Sequence, residues 1–261
     1  MIHFVGAGSG AADLITVRGQ KLLMEADIIV YAGSLVNPEI LKNAGPECAI
    51  YNSARMTLEE VLDVLVKGER EGKCVVRLHT GDPCLYGAVR EQMDALEKEG
   101  IDYQVCPGVS SFCGAAAALG AEYTLPSVSQ SVVITRMAGR TPVPDRESIR
   151  SFAAHQATMV IFLSTGMLLE LQEELLAGGY MAHTPAAIVY KATWPDEKVC
   201  RCTVAGLAET GRRENITKTA LIVVGDVLDC QYQRSRLYHP SFTTEFRKGT
   251  ENVDEGAGKN E

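Results

Sequence analysis

Asp82 stands between Gly81 and Pro83, directly after the apolar stretch that runs into His79-Thr80. A carboxylate at such a point can accept hydrogen bonds from a ribose or an ammonium group, or it can fix its own turn. Residue type and spacing leave both readings open. Two other glycine segments share the setting. Gly6-Ala7-Gly8-Ser9-Gly10 follows the strand-like Ile2–Val5, and Pro107-Gly108-Val109-Ser110-Ser111 follows Tyr103–Cys106. In a parallel sheet, loops after the carboxyl ends of strands converge on one edge, and ligands bind there. Glycine at these places lets backbone come close to a ligand.

Several other chemistries find no support. Gly6-x-Gly8-x-x-Ala11 formally fits a dinucleotide fingerprint, but the second strand ends in Ala32-Gly33-Ser34 without the acid that would hold a ribose. There is no Walker pattern and no Gly-x-Ser-x-Gly elbow. His3, His79, His155, His183 and His239 lack ligand spacing, so no metal site is expected. His79 adjoins the Thr80 loop and is a candidate substrate contact. The eight cysteines fall mostly in apolar runs with no Cys-x-x-Cys pair, and read as reduced, mostly buried thiols. Cys84 and Cys113 lie nearest the loops and read as small packing residues rather than nucleophiles. Arg55, Arg77, Arg136, Arg140 and Lys191 lie near the loops, and such cations gathered at one cleft would bind a polycarboxylate.

The net charge of -8 disfavours binding to nucleic acid or to an anionic membrane surface. No apolar run approaches the roughly 20 residues of a membrane span. The chain opens on a strand pattern rather than a signal peptide, so a soluble, cytoplasmic protein is expected.

The elements that must carry these loops follow from apolar periodicity. Ile2–Val5, Ile28–Tyr31, Cys74–Leu78 and Tyr103–Cys106 read as strands. Helical patterns lie between them: Leu14 to Ala26, a segment from the N-cap Thr57 with Glu60 at the capping-box position, and one marked by Val89, Met93 and Leu96 that ends at Gly100. This alternation predicts an α/β fold with a mostly parallel sheet. Further on, Ser131–Thr135, Met159–Leu163 and Ala220–Val224 read as strands, and Leu168 to Leu176 as a helix. Ala186–Tyr190 and Lys198–Thr203, joined through Trp194-Pro195-Asp196, read as an antiparallel hairpin. The expected organisation is an N-terminal α/β domain over 1–126, a C-terminal α/β domain with a mixed sheet over 127–240, and an extension over 241–261. The end of that extension, beyond Thr250, reads as a disordered tail.

Several stretches resemble the tetrapyrrole methylase family: Gly6-Ala7-Gly8-x-Gly10 with Asp13-Leu14-Ile15-Thr16, Thr80-Gly81-Asp82-Pro83-x-Leu85-Tyr86-Gly87-Ala88, and Pro107-Gly108-Val109-Ser110-Ser111. Gly139-Arg140-Thr141-Pro142-Val143-Pro144 and Tyr190-Lys191-Ala192-Thr193-Trp194-Pro195-Asp196-Glu197-Lys198 look particular to the carbon-11 branch. The resemblance runs from Ile2 to Gly249. It implies a two-domain homodimer that transfers a methyl group from S-adenosylmethionine to carbon 11 of a tetrapyrrole, precorrin-4 or its cobalt form, in cobalamin biosynthesis. It places Thr80, Gly81, Asp82, Leu85, Ser110, Ser111, Leu163, Ala192, Thr219 and Ala220 at the cofactor. Gly8, Ser9, His79, Arg136 and Lys191 are the substrate candidates. Two departures stand out. The family's first loop usually reads Gly-x-Gly-Pro-Gly-Asp-Pro, where this chain has Ser9, Ala11 and Ala12 in place of Pro, Asp and Pro. The loop after the second strand often carries an Asp where this chain has Gly33.

Overall fold

The computed structural model describes residues 1–33 and 35–250; the tail expected beyond Thr250 lies outside them. The first half forms a five-stranded sheet from β1 (Ile2–Gly6), β2 (Ile28–Tyr31), β3 (Ala49–Asn52), β4 (Val75–His79) and β5 (Tyr103–Cys106). All neighbours are parallel, in the order β3-β2-β4-β1-β5. Parallel pairing requires a crossover after each strand, and the helical segments supply it. These include α1 (Val17–Glu25), α2 (Leu58–Arg70) and α3 (Arg90–Lys98).

Helix α2 starts where the spacing predicts. Thr57 Oγ1 accepts from the Glu60 N–H, and the Glu60 carboxylate accepts from the Thr57 N–H. Its buried seam is Val61 and Leu65, which pack with Leu96 of α3 against Ile2, Phe4 and Val75. The opposite face of the sheet, through Val5, Val76 and Leu78, packs on Leu23 and Ile40. The first helix departs from expectation. It begins only at Val17, after a 3-10 turn over Ala12–Leu14, and both Leu14 and Val17 face solvent. Thr16 explains the late start, since its hydroxyl caps the Gly19 N–H.

Strand β3 has no counterpart in the sequence reading. It is an edge strand whose residues are all exposed, so it carries no apolar alternation to detect.

Helix α4 (Ser111–Leu119) leaves the first sheet but packs on the second, with Ala115 and Leu119 against Val160, Val189, Leu221 and Val223. The second sheet contains β6 (Val132–Arg136), β7 (Thr158–Phe162), β8 (Pro185–Tyr190), β9 (Lys198–Thr203) and β10 (Ala220–Val224), in the order β6-β7-β10-β8-β9. Only β6 and β7 run parallel; the other pairs are antiparallel. The β8–β9 hairpin forms with Ile188 opposite Cys200. Helices α5 (Ile149–Ala153), α6 (Leu168–Ala177) and α7 (Leu207–Arg213) cover its other face. Helices α5 and α7, five and seven residues long, are too short for apolar periodicity to mark them in the sequence.

The cysteines are all free, but the expectation that most are buried is corrected. Only Cys106 and Cys200 are buried, and Cys84 and Cys113 are exposed. Their runs are apolar, yet both sit on loop or helix faces turned outward.

Candidate functional site

The three glycine loops meet backbone to backbone at the carboxyl edge of the parallel sheet. Gly8 and Gly81 exchange two hydrogen bonds: the Gly8 N–H donates to Gly81 O at 3.2 Å, and the Gly81 N–H donates to Gly8 O at 2.9 Å. A methyl group added at Gly6 would stand 2.6 Å from the Gly108 Cα. No side chain fits at Gly6 or Gly108, while Gly8 (φ 84) and Gly81 (φ 59) hold left-handed backbones that glycine adopts without strain.

Asp82 ties two of the loops together. One carboxylate oxygen accepts from the Cys84 N–H and the other from the Gly108 N–H, both at 2.8 Å. Partial burial pushes the Asp82 carboxyl up, but hydrogen bonds from Cys84 and from Gly108 outweigh it and hold the group below its ordinary range. Of the two sequence readings for Asp82, the turn-fixing one is thus formed, and it extends to a second loop. Thr80 is likewise engaged, donating its hydroxyl to Leu35 O at 3.1 Å.

Above this junction lies a cavity of about 450 Å³ between the two sheets, within the range of small-ligand sites. The first sheet contributes Thr80, Gly81, Asp82 and Leu85 from the loop after β4, and Ser110 and Ser111 from the start of α4. The second contributes Leu163 after β7, Ala192 after β8, and Thr219 and Ala220 at the start of β10. Ser9 and Lys191 also line it. Ser110 is the N-cap of α4, yet its side chain makes no capping bond, so its hydroxyl is available to a ligand. The first N–H groups of that helix favour a negative group nearby.

Four cavity residues that are not glycine hold a left-handed backbone: Tyr86 (φ 55), Leu163 (φ 53), Lys191 (φ 45) and Thr219 (φ 57). Such conformations cost about 1–3 kcal/mol each and persist where surrounding structure enforces them. Four of the nine such residues among the described residues gather at this one cavity, and no sequence pattern announces it. The sequence reading also missed Tyr86 as a wall residue, packed on Phe162 with ring centroids 5.4 Å apart, as well as Trp194 and Lys218. Lys218 lies in a polar loop with no motif; it makes no ion pair among the described residues.

Gly8, Arg55, Arg77, His79, Arg136 and Arg140 do not line the cavity. His79 is 3% exposed and stacks on Phe4 beneath the sheet edge. Strand alternation explains it, because residues 75, 77 and 79 share the face that packs on α2 and α3. Burial, with the nearby Arg77 charge, holds the imidazole neutral with its pKa pushed down to about 3. Arg77 is inside for the same reason, bonded to the Gln92 side chain at 3.0 Å and Val30 O at 3.1 Å. Arg136 spends its guanidinium on the carbonyls of Met137, Thr141 and Pro142, bracing the loop that follows β6. Gly8 takes part through backbone alone. Lys191 does reach the cavity, held by Asp196 at 2.6 Å and lying over the Trp194 ring at 5.0 Å.

The loop departures have a structural consequence. A side chain at Gly33 would run into the Asn52 carboxamide, so this fold has no room for an acid there while Asn52 stays.

A family model for the tetrapyrrole (corrin/porphyrin) methylases matches residues 1–208. The chain belongs to the tetrapyrrole methylase family. A cobalt-precorrin-4 C(11)-methyltransferase of Methanocaldococcus jannaschii is 53% identical over 248 residues, covering 95% of this chain and 96% of that protein. An X-ray structure of a cobalt precorrin-4 methyltransferase superimposes with a TM-score of 0.85 at 45% identity, over 88% of this chain and 96% of that one. A uroporphyrin-III C-methyltransferase from Thermus thermophilus, crystallised with S-adenosylhomocysteine, matches with a TM-score of 0.74 at 27% identity, over 87% and 93% of the two chains. The two-sheet architecture described above is therefore the family's fold. Among the described residues no helix is long and apolar enough to cross a membrane, and no group of His, Cys, Asp and Glu could hold a metal ion.

Proposed function

We propose that this protein methylates carbon 11 of precorrin-4 or cobalt-precorrin-4, with S-adenosylmethionine as the methyl donor. One observation carries the reading: Thr80, Gly81, Asp82, Leu85, Ser110, Ser111, Leu163, Ala192, Thr219 and Ala220, brought from two sheets, border a single cavity. The cavity suits the donor. Leu85, Leu163, Val189 and Leu221 offer apolar wall, while the Ser110 hydroxyl and the start of α4 offer donors to a carboxylate. When bound, S-adenosylmethionine supplies a methyl group already activated by positively charged sulfur.

The chain's own residues hold and align rather than react. Asp82 fixes the spacing between the loops, and the apolar wall excludes water. Lys218 and Lys191, the latter paired with Asp196, line the cavity and are the candidates to receive carboxylates of the tetrapyrrole. Holding two reactants in line is worth roughly 7–11 kcal/mol of barrier. A thiol relay is not part of the proposal. The hydrogen bond to Asp82 and partial burial push the Cys84 thiol up, and burial pushes the Cys113 thiol up, so both disfavour the thiolate. A homodimer working in the cytoplasm, as the resemblance implies, completes the reading.

The test is incubation of the purified protein with S-adenosylmethionine and precorrin-4, metallated and metal-free, followed by mass spectrometry. A product heavier by one methyl group, with the label at carbon 11, is expected. Methylation of uroporphyrinogen III in preference to either precorrin would overturn the assignment.

A further inference from the structure

The first glycine loop is joined to the β8–β9 loop by hydrogen bonds centred on Thr193, a residue the methyl-transfer reading does not use. The Thr193 hydroxyl accepts from the Ala11 N–H at 2.9 Å and lies 3.1 Å from the Ser9 hydroxyl. A hydroxyl that accepts from Ala11 keeps both a proton and a second lone pair, so either partner can donate in the bond with Ser9. Ser9 is buried, 6% exposed. Trp194 closes the same junction. Its indole edge occupies the place a side chain at Gly10 would take. Asn37, also buried, donates to Gly10 O at 3.0 Å from the other side.

The β8–β9 loop is itself held rigid. Thr193 has a left-handed backbone (φ 67), and its N–H donates to the Glu197 carboxylate at 2.6 Å. Lys191, two residues earlier, is anchored to Asp196 and lies over the Trp194 ring. The junction therefore fixes the rim formed by residues 8–11 relative to the ammonium group of Lys191.

We propose that Thr193 is a positioning residue: its hydroxyl, bridging Ser9 and Ala11, sets where the tetrapyrrole sits relative to the methyl donor. This rests on the methyl-transfer reading of the cavity, but the bridge itself can be measured without it. Thr193 does not itself line the cavity; it acts through Ser9 and Lys191, the two tetrapyrrole candidates that do, so its effect falls on the tetrapyrrole.

Thr193→Val keeps the branched shape and removes the hydroxyl, while Thr193→Ser keeps the hydroxyl. In Thr193→Val, kcat/KM for the tetrapyrrole falls about tenfold, the value of one to two neutral hydrogen bonds. The Kd for S-adenosylhomocysteine changes by less than about threefold, and Thr193→Ser stays near wild type. Amide hydrogen exchange on the free protein supplies an independent readout. The Ala11 amide exchanges faster in Thr193→Val, with exchange over 220–224 unchanged. Unaltered exchange at Ala11 overturns the bridge, whatever the activity. A Thr193→Ser protein as impaired as Thr193→Val, or an equal loss of S-adenosylhomocysteine affinity, reduces Thr193 to a general structural role and overturns the positioning. A wild-type protein that methylates no tetrapyrrole sinks the functional reading, and the exchange experiment still decides the bridge.

Discussion

Replacing Asp82 by Ala should loosen the cavity by freeing the loop that carries Gly108, Ser110 and Ser111. The carboxylate holds two backbone N–H groups at 2.8 Å, one in its own turn and one in the loop after β5. Bonds to a charged acceptor are worth about 1.5–3 kcal/mol each when buried; for this half-buried group we expect about 2–4 kcal/mol for both together. If about 2 kcal/mol of loop ordering must then come from ligand binding, the Kd for S-adenosylhomocysteine rises roughly thirtyfold. Asp82→Asn should lie between, because its amide keeps one acceptor and turns a donor toward the other N–H. Urea unfolding followed by circular dichroism reads the stability, and isothermal titration reads the affinity. The pH dependence gives a further check. The folded carboxyl lies below its ordinary 3.8, so its contribution is present above that pH and is lost as pH falls through the folded value. The gap between wild type and Asp82→Ala should therefore close in strong acid. An Asp82→Ala protein as stable as wild type and with unchanged affinity would refute the clamp. Lost affinity at unchanged stability would instead point to direct contact with the ligand.

Other expectations follow from the same geometry. His79 keeps a pKa of about 3 when folded against an ordinary 6.5. The unfolded chain thus binds the extra proton, and stability should drop by about 2 kcal/mol between pH 6.5 and 5; His79→Phe should flatten that slope in thermal unfolding, and an unchanged slope would contradict the buried neutral imidazole. Gly108→Ala places a methyl group against the Gly6 Cα and Gly81 O and should cost about 1–3 kcal/mol or more in urea, with native-like stability showing that the loops are not in contact. Cys84→Ser and Cys113→Ser, singly or together, should keep methyl transfer within about tenfold, since neither thiol is set up as a nucleophile; abolished turnover in a folded double variant that binds the donor would show otherwise. Lys218→Ala should raise the tetrapyrrole KM, by less at high salt where the charge pair is screened; equal KM values for the two proteins at low salt would remove Lys218 from the site.

Apart from β3, the strands of both sheets were legible because each is a short apolar run bounded by glycine, proline or polar turns, and the α2 start was legible because a capping box is a local four-residue device. The glycine loops could be read for the same reason: close backbone approach leaves a mark on residue type. What the sequence left open depended on direction and distance. Arg77 and His79 adjoin the Thr80 loop in sequence, yet strand alternation turns both into the core beside Phe4. Arg136 follows the right strand, but its guanidinium is taken up by three nearby carbonyls. Edge strand β3 and the short helices α5 and α7 were silent, because an exposed or brief element shows no period.

The sequence by itself determined the alternation of strands and helices, the glycine positions at the carboxyl edge, and, through its motifs, the family. Only the tertiary structure decided that Asp82 spans two loops, that Lys218 and Tyr86 share a cavity with residues more than a hundred positions away, and that Thr193 bonds the loop of Ser9 and Ala11. Local sequence records what a residue needs from its neighbours along the chain. The left-handed backbones of Leu163 and Thr219 and the bridge at Thr193 arise where two separately stabilised sheets are pressed together, and no local pattern encodes that meeting.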